Sequence, residues 1–144
     1  MMWIESDPDR LIDLMIHEGP PLTEADLSAI EAACKKTGSA GAARFAVSLV
    51  LVESDHSPDA RQRKRIAEAM KGIPRCYEVL VTKSAAVRAV TTAIRWLVPG
   101  DPNRVQSTHA SYREALAYLV EKTGQPAVVF DTLHTRLRAR MKAG

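Results

Sequence analysis

The chain has 144 residues and a formal net charge of +3, with 46% hydrophobic and 26% charged residues. This length and composition fit one domain that folds around its own core, and they exclude a disordered protein. The mild positive charge and an aromatic content of only 5% argue against a dedicated nucleic-acid binder, which usually combines a clustered basic face with stacking aromatics.

The first third of the chain predicts a hairpin followed by a helix. Two short apolar runs, 2–4 and 11–17, flank a turn-forming stretch, which is typical of a β-hairpin. Thr23 predicts a helix start because Asp26, three residues later, can complete a capping box. The apolar face of this helix consists of Leu27, Ile30 and Cys34. Its end is predicted by Lys35, Lys36 and Gly38.

The middle of the chain predicts a buried strand and a second helix. Residues 45–52 are almost all apolar, which is typical of a central strand covered on both faces of a parallel sheet. Ser57 predicts the N-cap of the next helix, with Pro58 at its first position and Asp59 in its first turn. The basic run 61–65 spreads around the helix circumference, which favours a solvated face over one binding patch.

The next segment predicts a strand over residues 77–82 and a helix capped by Ser84. The apolar face of that helix consists of Ala86, Val90, Ala93, Ile94 and Leu97. Trp96 beside Arg95, near the helix end, would suit an anchor for a partner.

The last third predicts an edge strand and two helices. Residues 104–108 are short and polar, which is typical of an edge strand. Ser111 predicts the cap of the following helix and Gly124 its end. Residues 128–142 predict a final basic amphipathic helix, with Phe130, Leu133, Leu137 and Met141 on its apolar side. Strands that alternate with helices predict an α/β fold with a mainly parallel sheet, opened by the antiparallel hairpin.

Four segments resemble the STAS-like group of bacterial proteins, the anti-sigma-factor-antagonist superfamily. They are Gly19–Leu27 after the hairpin, Val79–Thr82 before a helix, Arg95–Leu97 and Glu114–Leu119. The resemblance covers roughly residues 2–122. It implies a STAS-like sheet with helices packed on it over residues 1–124. Residues 125–144 then form an additional C-terminal helix, docked on the domain or on a partner.

The same resemblance implies a function. Similar proteins are regulatory modules that bind other proteins, some switched by serine phosphorylation, and some of the wider group bind small or lipid-like ligands. Their phosphorylated serine lies in an Asp-Ser-Ser-Gly type motif after the central strand. The corresponding segment here is 53–58, which lacks the Ser-Gly step, so Ser57 is the nearest candidate phosphosite and Ser54 the second.

Residue types that carry catalysis are present without the spacing that catalysis needs. Asp55, His56 and Ser57 are adjacent, whereas a catalytic triad is assembled in space, so a helix cap in a solvated loop is favoured. A hydrolase or transferase would need His56 or His109 within hydrogen-bond reach of Ser54 or Ser57. No pair of the four histidines has the spacing of a helical metal site. The sequence therefore predicts no enzyme, metal or cofactor, and Cys34 and Cys76 are predicted as buried free thiols.

Three segments are predicted to meet at one edge of the sheet. Residues 53–57, 82–84 and 108–111 each follow a strand, and α/β sheets bind ligands at the carboxyl ends of their strands. Thr82, Lys83 and Ser84 would suit an anion at a helix start. The predicted partner-binding residues are Ser54, Asp55, His56, Ser57, Arg61, Lys83, Ser84 and Arg88.

The function predicted from these features is a non-enzymatic bacterial regulatory protein-interaction module, gated by a phosphate on Ser57. The alternative is a domain that binds a small molecule or lipid, which predicts a cavity of roughly 300 Å³ or more. Homodimerisation through the last helix and its contact with a membrane surface are further alternatives to docking on its own domain. No secretory signal opens the chain and no apolar run approaches the roughly 18 residues of a membrane span, which predicts a cytoplasmic protein without a transmembrane segment.

Overall fold

The computed structural model describes residues 1–40, 43–89 and 101–144. Five strands form one sheet in chain order: β1 (Met2–Asp7), β2 (Ile12–His17), β3 (Ala46–Val52), β4 (Cys76–Thr82) and β5 (Arg104–His109). β1 is antiparallel to β2, and the other neighbours are parallel. The predicted α/β class, the hairpin and the central position of β3 are confirmed.

Helices cover both faces of the sheet. They are α1 (Glu24–Ala40), α2 (Ala60–Lys71), α3 (described over residues 85–89), α4 (Tyr112–Thr123) and α5 (Ala127–Ala143). One buried cluster joins Met15 of β2 to residues of α1, and the other joins Leu14 of the same strand to residues of α4 and α5. Because neighbouring side chains of a strand point to opposite faces, the two clusters lie on opposite sides of the sheet.

Three of the predicted helix starts are confirmed. Thr23 and Asp26 form the expected reciprocal pair, since the backbone N–H of each donates to the side chain of the other. The Ser84 hydroxyl accepts from the backbone N–H of Val87 at 3.2 Å, and that of Ser111 accepts from Glu114 at 3.2 Å. The rest of the apolar face predicted after Ser84 (Val90, Ala93, Ile94, Leu97), and the Arg95–Trp96 pair, lie outside the described residues.

The predicted N-cap at Ser57 is wrong, because Asp59 caps α2. The Asp59 carboxylate accepts from the backbone N–H of Gln62 at 2.8 Å, and the Gln62 side chain accepts from the backbone N–H of Asp59 at 3.0 Å. A cap at Ser57 would place Ala60 three residues on, and alanine has no side-chain acceptor to complete the box.

The predicted end of α1 near Gly38 is also wrong, since the helix continues to Ala40. Gly38 lies inside the helix, where α1 meets the end of α2. A Cβ atom at Gly38 would lie 2.2 Å from the carbonyl oxygen of Gly72. Gly38 therefore allows the backbone of α1 to approach the backbone at the end of α2 closely. The glycine is required for this contact and does not end the helix.

Helix α5 packs on the sheet through its predicted apolar side. Phe130, Leu133 and Leu137 are each at most 2% exposed and belong to the same buried cluster as the strands. Arg140 also donates to the carbonyl of Ile4 and pairs with Glu5, both in the edge strand β1. In the structure this helix is docked on its own domain.

The two cysteines are buried free thiols on the α1 and α2 side of the sheet, as predicted. Burial raises the pKa of Cys34 to about 11 and that of Cys76 to about 12. Both thiols therefore stay protonated at neutral pH and behave as small apolar side chains.

A buried carboxyl on β2 makes the stability of the fold depend on pH. Asp13 is 1% exposed and accepts hydrogen bonds from Ser6 at 2.5 Å and Thr37 at 2.6 Å. Burial nevertheless raises the pKa of Asp13 above its ordinary value. A raised folded-state pKa means that its stabilising contribution is complete at acid pH and is lost as the pH rises through that value.

We therefore expect Asp13→Asn to gain stability relative to wild type as the pH rises from 3 to 7. The direction follows from the raised pKa, because the wild-type carboxyl loses its stabilising contribution as it ionises, whereas the asparagine amide does not ionise. Urea unfolding across this pH range measures the difference between the two proteins. Asp9→Asn, at an exposed carboxyl, is the control for the loss of one negative charge. A difference for Asp13→Asn that does not change with pH would show that Asp13 is not the responsible group.

Candidate functional site

A cavity of about 450 Å³ lies at the carboxyl ends of β3 and β4, next to the start of α4. Its lining includes 53–55 after β3, 82–84 at the end of β4, and 110–112 after β5. The predicted meeting of these three segments at one sheet edge is therefore confirmed. The volume also exceeds the roughly 300 Å³ expected of a small-ligand site.

The cavity has an apolar floor and a polar mouth. Leu51 and Val81 are both less than one-tenth exposed and lie at the base. Lys83, Ser84 and Ser111 line the polar part. The Ser84 and Ser111 hydroxyls each accept one backbone hydrogen bond, and among the described residues neither hydroxyl donates one. Their hydrogens are available to an acceptor in the cavity.

An arginine from α5 forms one wall of the cavity. The two terminal nitrogens of Arg138 donate to the two carboxylate oxygens of Glu53, Nη1 to Oε1 at 2.6 Å and Nη2 to Oε2 at 2.5 Å. Both residues line the cavity. The hydrogen bond from Arg138 holds the pKa of Glu53 below its ordinary value. A bidentate pair of this kind fixes the orientation of both groups as well as their charge.

His134 and Tyr112 connect Arg138 to α4. Its Nε–H donates to Nε2 of His134 at 3.2 Å, and burial lowers the pKa of His134, which favours the neutral ring that can accept this bond. The His134 ring stacks on Tyr112 with 4.1 Å between centroids. The Tyr112 hydroxyl donates to Asp131 at 2.7 Å, which ties the start of α4 to α5. The position of Arg138 at the cavity is thus supported by both helices.

Four of the eight predicted partner-binding residues line the cavity: Ser54, Asp55, Lys83 and Ser84. Lys83 and Asp55 form no hydrogen bond or ion pair with any part of the chain that the structure describes. Ser54 is committed to the loop, since its hydroxyl donates to the carbonyl of Gly19 at 2.7 Å and accepts from the backbone N–H of His56 at 3.0 Å.

The other four predicted residues lie outside the cavity lining. His56 and Ser57 are exposed in the loop before α2. Arg61 pairs with Glu24 of α1, so it contributes to helix packing. Arg88 donates to the carbonyl of Thr82 at 2.6 Å at the end of β4. Ser57 stays a predicted phosphosite, two residues before the Asp59 cap.

His109 and His17 lie outside the cavity lining. His109 Nε2 lies 3.0 Å from the Ser107 hydroxyl. His17 is 3% exposed, and its Nε2 has no hydrogen-bond partner among residues 1–40, 43–89 and 101–144. Within the same ranges, no three His, Cys, Asp or Glu side chains are grouped to hold a metal ion.

Arg138 and Tyr112 are cavity residues that sequence reasoning did not select. The sequence indicates only that Arg138 belongs to a basic amphipathic helix and that Tyr112 follows the predicted cap at Ser111. The spacing of His134 and Arg138, four residues apart, was the available signal that the two side chains meet. The contact of Arg138 with Glu53, the residue after β3, joins residues 85 positions apart in the chain, which no local pattern predicts.

Comparison with known proteins yields no match to any family model, curated protein or solved structure. The STAS-like resemblance therefore stays a prediction. In the part of the chain that the structure describes, no helix has the length and apolar character needed to span a membrane.

Proposed function

We propose that the chain is a non-enzymatic regulatory domain that binds a small molecule with an anionic group in the cavity at the carboxyl edge of its sheet. The observation that carries this proposal is the cavity itself, with its apolar floor and hydrogen-bond donors at its mouth. Its volume of about 450 Å³ falls in the range of small-ligand sites.

The uncommitted donors favour an anion. Lys83 supplies a positive charge that acts on Glu53 but forms no hydrogen bond or ion pair among the described residues. Ser84 and Ser111 offer their hydroxyl hydrogens. Ser111 also caps the N-terminus of α4, a helix of 12 residues whose first N–H groups favour negative charge. An anionic group in the cavity would therefore lie among hydrogen-bond donors and a positive charge.

The apolar floor favours a ligand with a hydrophobic part. Leu51 and Val81 would contact that part, while the charged group stays at the mouth beside Lys83. Burial of apolar surface contributes affinity, and the polar contacts fix the orientation. Phenyl phosphate combines both features in a small molecule and is a suitable probe of this chemistry.

We expect phenyl phosphate to shift the backbone amide NMR signals of residues 83, 84, 111 and 112 saturably in the folded chain. Lys83→Ala should weaken this binding about fivefold or more, because it removes the uncommitted charge at the mouth. Lys64→Ala removes an equal charge from the exposed surface of α2 and is the matched control. Equal weakening by both variants would indicate nonspecific attraction, and no saturable shift in wild type would contradict the proposal.

Docking of a protein partner is the second candidate function. It is favoured by the exposure of Asp55, His56 and Ser57 on the loop beside the cavity. A Ser57→Asp, Lys83→Glu variant tests it in a pull-down with the tagged chain. Arg61 is left unchanged, because a glutamate there would face Glu24 and disturb the α1–α2 contact. A partner that binds wild type but not this folded variant would support docking at the loop.

A further inference from the structure

We infer that Arg138 is the anchor for the anionic group of the ligand, and that Glu53 is a built-in competitor for the same guanidinium. The inference rests on the proposed function and names the class of group recognised: an oxyanion with two oxygens on one atom, such as a carboxylate or a phosphate. The juxtaposition that supports it is a bidentate Arg138–Glu53 pair on the wall of the cavity.

Arg138 is oriented before any ligand arrives. Its Nε–H donates to His134, whose ring stacks on Tyr112. With the two bonds to Glu53, three of its five N–H groups are donated to partners among the described residues. The guanidinium keeps its charge at any ordinary pH, and its planar fork matches carboxylates and phosphates. The contacts through His134 of α5 and Tyr112 of α4 do not depend on Glu53.

Glu53 shows which group fits at this position. Its carboxylate already accepts two parallel hydrogen bonds from Arg138, and a ligand carboxylate or phosphate presents the same pair of oxygens. The side chains of Arg138 and Glu53 are 34% and 37% exposed, so incoming ligand can reach the pair. A spherical anion such as chloride offers no such edge, and we expect it to compete poorly.

Competition by Glu53 sets the affinity. Only the fraction of molecules in which Arg138 is released from Glu53 is ready for the ligand, and the apparent dissociation constant rises as that fraction falls. The positive charge of Lys83 lies at the mouth beside the incoming anion, and it also favours the charged form of Glu53. The protein would therefore hold its ligand moderately and release it readily.

The test is a titration of phenyl phosphate into wild type, Glu53→Gln and Arg138→Lys, followed by backbone amide signals and by the Nε–H signal of Arg138. We expect Glu53→Gln to bind about fivefold more tightly, because the competing charge is gone. Arg138→Lys keeps the charge but loses the fork, and it should bind about tenfold more weakly. In wild type, the Arg138 Nε–H signal should move with ligand concentration.

Glu121→Gln is the matched control, since it removes one negative charge from an exposed position on α4. The competition is supported if Glu53→Gln tightens binding and Glu121→Gln does not. Saturable binding that Glu53→Gln and Arg138→Lys leave unchanged would overturn the role of Arg138 and keep the proposed function. An absence of saturable binding in wild type and in Glu53→Gln would overturn both.

Discussion

Replacing Phe130 by alanine is expected to lower the free energy of unfolding by about 3–5 kcal/mol. Phe130 is 2% exposed and connects α5 to the cluster formed by β2, β3, β4 and α4. Removing the ring loses buried apolar contact and leaves a cavity between the helix and the sheet. Urea unfolding followed by circular dichroism measures the change. The result decides whether residues 125–144 are an essential layer of the fold or an appended helix.

Val128 provides the matched control on the same helix. Its side chain is 64% exposed, so Val128→Ala should change stability by no more than about 0.5 kcal/mol. Phe130→Leu keeps most of the buried volume and should cost less than Phe130→Ala, which keeps the test usable if the alanine variant does not fold. A loss below about 1 kcal/mol for Phe130→Ala would contradict the packing of α5 on the sheet.

The architecture was predictable because its signals are local. The continuous apolar run over 45–52 identified the central strand, since a strand covered on both faces has no polar side. Alternating strands and helices then implied parallel neighbours, and parallel strands end at one edge. The same reasoning predicts that residues 53–57 and 82–84 meet at that edge, and 53–55 and 82–84 both line the cavity. The part of the candidate site that follows β3 and β4 is therefore predictable from the order of strands and helices.

The part of the site formed by Arg138 depends on how α5 is rotated about its axis where it packs on the sheet. The apolar spacing predicts that Leu137 is buried, and it is, but the direction of its neighbour Arg138 depends on where the helix lies relative to β3. An arginine side chain is long enough to point to solvent or to lie along the surface and reach a carboxylate. The position of the packed helix decides between these two directions of the side chain, so the sequence alone does not predict the pair of Glu53 and Arg138.

The misplaced cap of α2 has a different origin. Ser57 followed by Pro58 is a strong start signal by residue preference. Asp59 has the additional advantage of Gln62 three residues later, and the reciprocal bonds between them satisfy two backbone N–H groups. The partner residue was visible in the sequence, and counting both halves of the capping box would have selected Asp59.

Gly38 is the position where the two explanations for a glycine predict stability changes of opposite sign. If it merely ended a helix, Gly38→Ala in the extended α1 would stabilise the fold by up to about 1 kcal/mol, because alanine is the better helix former. The structure instead puts the new Cβ 2.2 Å from the Gly72 carbonyl oxygen, where backbone meets backbone. The helices must separate, and we expect a loss of about 2–3 kcal/mol.

Urea unfolding of Gly38→Ala and Ser39→Ala distinguishes these cases. Ser39 is the exposed neighbour in the same helix, and its hydroxyl donates to the Lys35 carbonyl at 2.8 Å, so its replacement should be nearly neutral. A stabilised Gly38→Ala would show that α1 and α2 do not approach as closely as described. A destabilised one shows that this glycine is required by the contact between helices, since a residue at φ < 0 inside a helix has no other need for it.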